Sequence, residues 1–159
     1  MSDAENLSKE EQKLRLILEN IVNSTTGIRN VILLDSSGIT LVSVSKFTTN
    51  GGDWSVEKIG AIGGAVFQAA QEQGEILGYG GIKIQITEYD KGFLFGTKVG
   101  DGILVLATDS LVQIGILKMV LQKWAPKIKA ILSSYLAVDQ KALSQELRSL
   151  FTPDDFEMF

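Results

Sequence analysis

The repeat of apolar residues along the 159-residue chain alternates between a helical and a strand-like period. Apolar side chains first recur every three or four positions, which predicts a helix over about residues 9–23. A period of two then predicts a hairpin with strands at 28–35 and 39–46. The helical period returns and predicts a second helix over about 54–77.

The second half of the chain repeats the strand pattern three times before its last helical stretch. Strands are predicted at 82–88, 93–99 and 103–108. A long helix is predicted over about 111–135, and Pro126 inside it predicts a kink or a break. A separate short helix is predicted over about 140–150, with Asp139 as its N-cap.

These elements predict the fold class α/β: a five-stranded antiparallel sheet between helices, in the order α-β-β-α-β-β-β-α, plus a C-terminal helix. We expect the middle helix on one face of the sheet and the first and last long helices on the other. Residues 1–135 form the predicted domain, and residues 136–159 form a helical extension with a loose tail. Strand 82–88 is predicted at a sheet edge because its outward residues are polar.

The composition excludes several classes of function. The chain has no Cys and no His, which excludes thiolate nucleophiles, imidazole bases and metal sites with Cys or His ligands. The acidic pairs lie in solvated end regions, and the glycine clusters lack the setting of a phosphate loop. We therefore predict no enzyme, no catalytic residue, no cofactor and no metal.

Charge and hydropathy indicate where the protein works. The net charge of −4 argues against nucleic-acid binding, which needs a concentrated positive face. The most apolar stretch, 102–121, is interrupted by Asp109, Gln113 and Lys118, so no integral membrane segment is predicted. The first residues are acidic where a signal peptide would be basic, and a cytoplasmic location is therefore expected.

Three segments carry a resemblance to a known family: Gly27–Gly38, Gly60–Ala65 and Gly100–Thr108. In this order, and within the stretch from Leu14 to Tyr135, they resemble the roadblock/dynein light chain family. The resemblance implies a roadblock/profilin-like fold and a Ras-like small GTPase as partner. It also implies a homodimer that forms through the middle helix and the neighbouring edge strand.

Three glycines inside the middle helix suggest a close contact on one of its faces. Each interior glycine costs about 0.5–1 kcal/mol relative to alanine. A helical projection places Gly63 on the apolar stripe of Ile62 and Val66, which is assigned to the sheet, and places Gly60 and Gly64 outside. We interpret the outer pair as room for the same helix of a second copy. In the alternative, all three glycines let the helix sit close to its own sheet. The predicted dimer interface comprises Gly60, Gly63, Gly64, Phe67, Ile82, Lys83, Ile84 and Gln85.

Four apolar residues are predicted to contact a partner. Phe47 and Trp54 flank a glycine-rich loop, and Leu147 and Phe151 share the apolar stripe of the last helix. In the alternative, the first two pack at a helix–sheet junction and the last helix folds back on its own domain.

The sequence allows two interpretations for each of two charged segments. Lys118, Lys123, Lys127 and Lys129 either cover a buried face with their stems or form a basic surface for an acidic partner or a membrane. The acidic and aromatic tail, 152–159, has the composition of a short binding peptide or of a disordered end.

The combined prediction is a non-enzymatic, homodimeric roadblock protein that binds and regulates a Ras-like small GTPase. The chain contains only Arg15, Arg29 and Arg148, and none lies in a segment suited to an inserted arginine finger. Any stimulation of GTP hydrolysis is therefore expected to order the GTPase's own residues. The alternative is a passive dimeric scaffold or light-chain adaptor that leaves the GTPase rate unchanged.

Overall fold

The structure is a computed structural model that describes residues 3–46 and 54–150. Its elements, numbered in chain order, are α1 (Asp3–Ser24), β1 (Ile28–Leu34), β2 (Thr40–Ser45), α2 (Trp54–Ile76), β3 (Gln85–Tyr89), β4 (Gly92–Val99), β5 (Gly102–Asp109) and α3 (Ile114–Leu150). The predicted element order is confirmed up to α3. Helix α1 begins several residues before the predicted start.

The five strands form one antiparallel sheet in the order β2-β1-β5-β4-β3. Strand β5 lies in the middle, between β1 and β4, and its residues from Gly102 to Leu106 are buried. Strand β1 pairs with β2 through residues such as Val31 opposite Val44. Within residues 3–46 and 54–150, strand β3 pairs with β4 alone and lies at one edge of the sheet, as predicted.

Apolar residues bury both faces of the sheet. Helices α1 and α3 cover one face, where Leu14, Leu18, Leu117 and Ile128 belong to the larger hydrophobic core. Helix α2 covers the other face, where a smaller core contains Ile32, Leu34, Phe67, Ile103 and Val105. The predicted three-layer arrangement is confirmed. Since the second core is small, α2 has less apolar anchorage than α1 and α3.

The orientation of α2 corrects the helical projection. Gly60, Gly63, Gly64 and Phe67 are buried, at the spacing of one helical stripe. Ile62 and Val66, which the projection assigns to the sheet, are 56% and 49% exposed. The prediction that Gly60 and Gly64 face outward is therefore wrong, and the alternative that all three glycines face the sheet is correct. The projection failed because it oriented the helix by its large apolar residues.

Helix α3 runs without interruption from Ile114 to Leu150. The predicted break and the separate helix after Asp139 are therefore wrong. Pro126 removes one backbone hydrogen bond, but the chain on both sides of it stays helical. Among the side chains of α3 that the structure describes, Tyr135 is the last buried one, and those described in residues 140–150 are exposed. The domain boundary at 135/136 stays a prediction.

The sequence predicts no integral membrane segment. Within residues 3–46 and 54–150, no helix is both long enough and apolar enough to cross a bilayer.

Candidate functional site

An apolar groove runs between α2 and the β3 edge of the sheet, with a volume of about 300 Å³. Ile59, Ile62 and Val66 of α2 form one wall. The other wall and the floor comprise Gln85, Thr87, Tyr89, Leu94, Phe95, Gly96, Val105 and Ala107. None of these lining residues is charged. We call this feature the α2–β3 groove.

The side chains around the groove are more exposed than large apolar residues usually are. Besides Ile62 and Val66, Tyr89 is 59% exposed at the end of β3. Strand β3 has no second neighbour within the described sheet, so one row of its backbone donors and acceptors is unpaired there. An apolar helix face next to an open strand edge is a surface suited to a protein partner.

The glycines of α2 set the depth of this groove. A Cβ built on Gly60 would lie 2.9 Å from Cδ2 of Leu34, and one built on Gly64 would lie 3.2 Å from Cδ1 of the same residue, so the helix backbone lies close to the sheet. Phe67 fills the space above Gly96, where an added Cβ would come within 3.1 Å of the Phe67 ring. Because α2 lies close to the sheet, the side chains of Ile62 and Val66 extend beyond the helix and are exposed to solvent.

The structure distributes the predicted interface residues over two environments. Gly60, Gly64 and Phe67 are buried between α2 and its own sheet and present no side chain to a partner. Among the strand residues, Gln85 lines the groove, whereas Ile82, Lys83 and Ile84 precede β3 instead of belonging to it. Ile82 packs against the smaller core and Ile84 against the larger one. Strand β3 is therefore shorter than predicted.

Sequence reasoning missed Ile62, Val66 and Tyr89 as groove residues. The available signal was a stripe of small residues, Gly60, Gly63 and Gly64, with the large apolar residues Ile62 and Val66 on the other side of the same helix. Two such stripes on one helix indicate two contacts, one with the sheet and one with a partner.

The turn between β1 and β2 fixes the position of α2. The Asp35 carboxylate accepts hydrogen bonds from the backbone N–H of Ser37 at 2.9 Å and of Ile39 at 3.0 Å, and from the Ser37 hydroxyl at 2.6 Å. Burial alone would raise the pKa of Asp35, but these hydrogen bonds and one from Gly38 lower it below its ordinary value. Gly38 closes the turn with a positive φ of 88° and lies beneath Gly64. Gln68 of α2 donates to the carbonyl oxygen of Ser36.

The structure describes only some of the residues that are predicted to contact a partner. Phe47 and Phe151 lie outside the described residues, and for Trp54 the structure describes the backbone alone. Leu147 is 48% exposed on the part of α3 that follows the core, and Leu143 and Leu150 are exposed on the same stripe. This helical segment thus carries an apolar stripe that the described chain leaves open.

The groove offers no obvious chemistry. Its lining has no titratable group except the Tyr89 phenol. In the described ranges, no group of three or more acidic residues could hold a metal ion. The arrangement is suited to binding by shape and apolar contact.

Comparisons with known proteins place the chain in a family. No family model matches it. The uncharacterized proteins MJ0310 and MJ1340 of Methanocaldococcus jannaschii are each 30% identical over 117 residues. This match covers 74% of the present chain and 96% of each relative.

Several solved structures share the fold. An MglB structure with a tetrameric arrangement has a TM-score of 0.71 at 18% identity, and the match covers 79% of this chain and 92% of that one. The gliding protein MglB of Thermus thermophilus has a TM-score of 0.69 at 17% identity with the same coverage. A Roadblock/LC7 domain of Streptomyces avermitilis has a TM-score of 0.68 at 14% identity, over 75% and 97% of the two chains. The chain therefore belongs to the same protein family as MJ0310 and MJ1340, and it has the Roadblock/LC7 fold.

Proposed function

We propose that the chain forms a homodimer through the α2–β3 groove and that this dimer binds and regulates a Ras-like small GTPase. The observation that carries the proposal is the uncharged groove beside an open sheet edge. Burial of Ile62, Val66 and Tyr89 against a second copy would remove apolar area from water. Pairing of two β3 edges would satisfy the unpaired backbone groups.

A second copy is the occupant that the geometry favours. A twofold axis beside β3 brings the same groove wall and the same strand edge of both copies together. One MglB structure with this fold has a tetrameric arrangement, which supports self-association. The GTPase partner rests on the resemblance of the sequence to roadblock proteins.

The regulatory mechanism is constrained by the arginines. The Arg15 guanidinium donates to the carbonyl oxygen of Ser43 at 3.3 Å and lies 3.8 Å from the Glu11 carboxylate, so its reach is limited. Arg29 is exposed in β1, and Arg148 is exposed near the end of α3. The dimer is therefore proposed to act by holding the GTPase's own catalytic residues in place.

The exposed stripe of α3 is proposed as a second contact with the GTPase. Leu143, Leu147 and Leu150 recur at helical spacing, which fits a helix that binds in a partner's groove. Phe47, Trp54 and Phe151 remain proposed contacts of the same partner.

The test uses the small GTPases of the same organism, each loaded with GDP or with a non-hydrolysable GTP analogue. We expect the full chain to bind one of them, with an affinity that differs at least about tenfold between the two nucleotide states. Single-turnover GTP hydrolysis then separates the two functions. A raised rate supports a regulator, and binding without a rate change supports the passive scaffold. Absence of binding to every GTPase in both states would contradict the proposal.

A further inference from the structure

A second groove lies on the opposite face of the sheet, between α3 and the β3–β4 end. It consists of two adjoining cavities of about 350 and 590 Å³ that share Gln122 and Ala125. Lys83 and Lys118 line the first cavity, and Lys98 and Lys129 line the second. We call this feature the basic groove.

One of the four lysines of the basic groove, Lys98, also lines a cavity on the α2 side together with Glu72, Glu75 and Asp101, whereas the other three have no acidic neighbour in the lining of these cavities. In residues 3–46 and 54–150, no carboxylate forms an ion pair with any of the four lysines. All four are exposed, and the cavities have no acidic lining residue. The chain as a whole carries a net charge of −4, so this concentration of positive charge is local. Such a surface attracts an anionic ligand.

The floor of the basic groove is apolar. Leu121 is buried there, and Ile84 and Ala125 are half-buried. The neighbouring lysines of α3 are engaged elsewhere, because the ammonium groups of Lys123 and Lys127 lie 5.1 and 4.5 Å from the centre of the Trp124 ring. A ligand for this groove therefore needs both negative charge and apolar groups.

The sequence itself contains a segment of this kind. Residues 154–159 read Asp-Asp-Phe-Glu-Met-Phe and lie outside the described residues. In an extended conformation, alternate side chains point to opposite faces. Asp155 and Glu157 would then share one face with Phe159, and Phe156 and Met158 would share the other with Asp154. Residues 155–158 thus alternate acidic and apolar side chains, which suits a lysine rim above an apolar floor.

The dimensions of the groove agree with such a segment. On α3, Lys118 and Lys129 are about 17 Å apart at 1.5 Å per residue. An extended segment of about five residues spans the same length.

The same copy cannot supply the segment. Lys129 lies about 31 Å from Leu150 along α3. The four residues from Phe151 to Asp154 reach at most about 14 Å. The occupant must therefore come from another molecule.

We propose that the basic groove binds the segment Asp154–Phe159 of a second copy of this chain. This contact lies on the face of the sheet opposite the α2–β3 groove and does not depend on the proposed GTPase. Its failure would leave the proposed dimer and the proposed partner untouched.

The test measures binding of a fluorescent peptide that spans residues 150–159. The receptor is the full chain with Asp154→Asn, Asp155→Asn and Glu157→Gln, so that its own segment does not compete. We expect saturable binding at about 50 mM salt that weakens at about 300 mM. Lys118→Glu with Lys129→Glu should weaken binding at least about tenfold, and the milder pair Lys118→Gln with Lys129→Gln should weaken it less.

A matched control carries Lys46→Glu and Lys91→Glu, which change the net charge equally at exposed positions outside the groove. This control should retain binding within about twofold. The proposal is overturned by no binding up to about 1 mM peptide, by equal losses in both reversed variants, or by equal binding of a peptide without its acids. The proposal is also overturned if Lys118→Glu with Lys129→Glu weakens binding of the chain to vesicles of anionic lipid but does not weaken binding of the peptide.

Discussion

Gly60 lies directly over Leu34, and a Cβ built on this glycine would come within 2.9 Å of Cδ2 of Leu34. The same Cβ would lie 3.1 Å from the Thr40 hydroxyl and 3.3 Å from Cγ2 of Ile32. The absence of a side chain at Gly60 therefore allows α2 to pack closely against its own sheet. This close packing leaves the α2–β3 groove accessible.

Gly60→Leu is expected to destabilise the fold. The new side chain has no free volume between α2 and the sheet, and overpacking of this kind costs about 1–3 kcal/mol or more. Urea unfolding followed by circular dichroism measures the change in the free energy of unfolding.

Gly115→Leu is the matched control, because a Cβ at Gly115 of α3 meets no atom within 4 Å. This variant should keep the wild-type stability or gain slightly from the better helix propensity of leucine. Equal destabilisation in both variants would mean that the contact of Gly60 with Leu34 is not the cause.

The α2–β3 groove leads to a different prediction for its apolar wall. Ile62→Lys with Val66→Lys should leave the fold stable, since both side chains are about half exposed in the monomer. The same pair should weaken dimerisation at least about a hundredfold, because two charges would have to be buried in the interface. Analytical ultracentrifugation measures the dissociation constant, in a chain that also carries Asp154→Asn, Asp155→Asn and Glu157→Gln so that the other proposed contact between copies does not contribute.

Ile76→Lys makes the same chemical change at the end of α2, outside the groove, where the isoleucine is 85% exposed. The Ile76→Lys variant should dimerise as the wild type does. Dimers that survive the Ile62 and Val66 changes would exclude this groove as the interface.

The Asp35 turn gives a prediction of pH dependence. The folded-state pKa of Asp35 is depressed, so its contribution to stability is present above the unfolded pKa of about 3.9 and is lost as the pH falls through the folded value. Asp35→Ala should therefore lower stability at neutral pH by less than about 1 kcal/mol, because the carboxylate is partly solvated.

The difference between Asp35→Ala and wild type should shrink as the pH falls below about 4. Urea midpoints measured from neutral to acid pH provide the check. A difference that stays constant over this range would show that the carboxylate charge does not contribute.

The arginines allow a test of the proposed regulatory mechanism. Replacement of Arg15, Arg29 and Arg148 by Gln should change the stimulated rate of GTP hydrolysis by less than about fivefold, whereas loss of an arginine finger costs about a thousandfold or more. Single-turnover assays with the cognate GTPase measure this rate. A loss of the larger size on Arg148→Gln alone would contradict the mechanism.

The element order and the sheet could be predicted because the relevant residues repeat with clear periods. Val31 to Leu34 and Leu104 to Leu106 are buried on both faces, and their continuous apolar runs identified the central strands. The edge position of β3 followed from its polar residues.

The orientation of α2 was not predictable from side-chain size. Gly60 and Gly64 face the sheet because only residues without bulk permit this close approach, whereas Ile62 and Val66 remain outside. A rule that places large apolar residues inward fails wherever a second surface is apolar as well.

The extent of α3 was also misjudged. Asp139 suggested an N-cap, but no glycine or proline lies between Tyr135 and Asp139 to end the preceding helix. The helix therefore continues, and a capping residue inside it does not act as a cap.

The most direct test of the central claim is the molar mass, by multi-angle light scattering at about 10 µM, of the full chain with Asp154→Asn, Asp155→Asn and Glu157→Gln, which removes the other proposed contact between copies. The proposed α2–β3 dimer predicts twice the chain mass of 17.3 kDa, or a multiple of that dimer. A folded protein that elutes with the mass of a single chain would contradict the account.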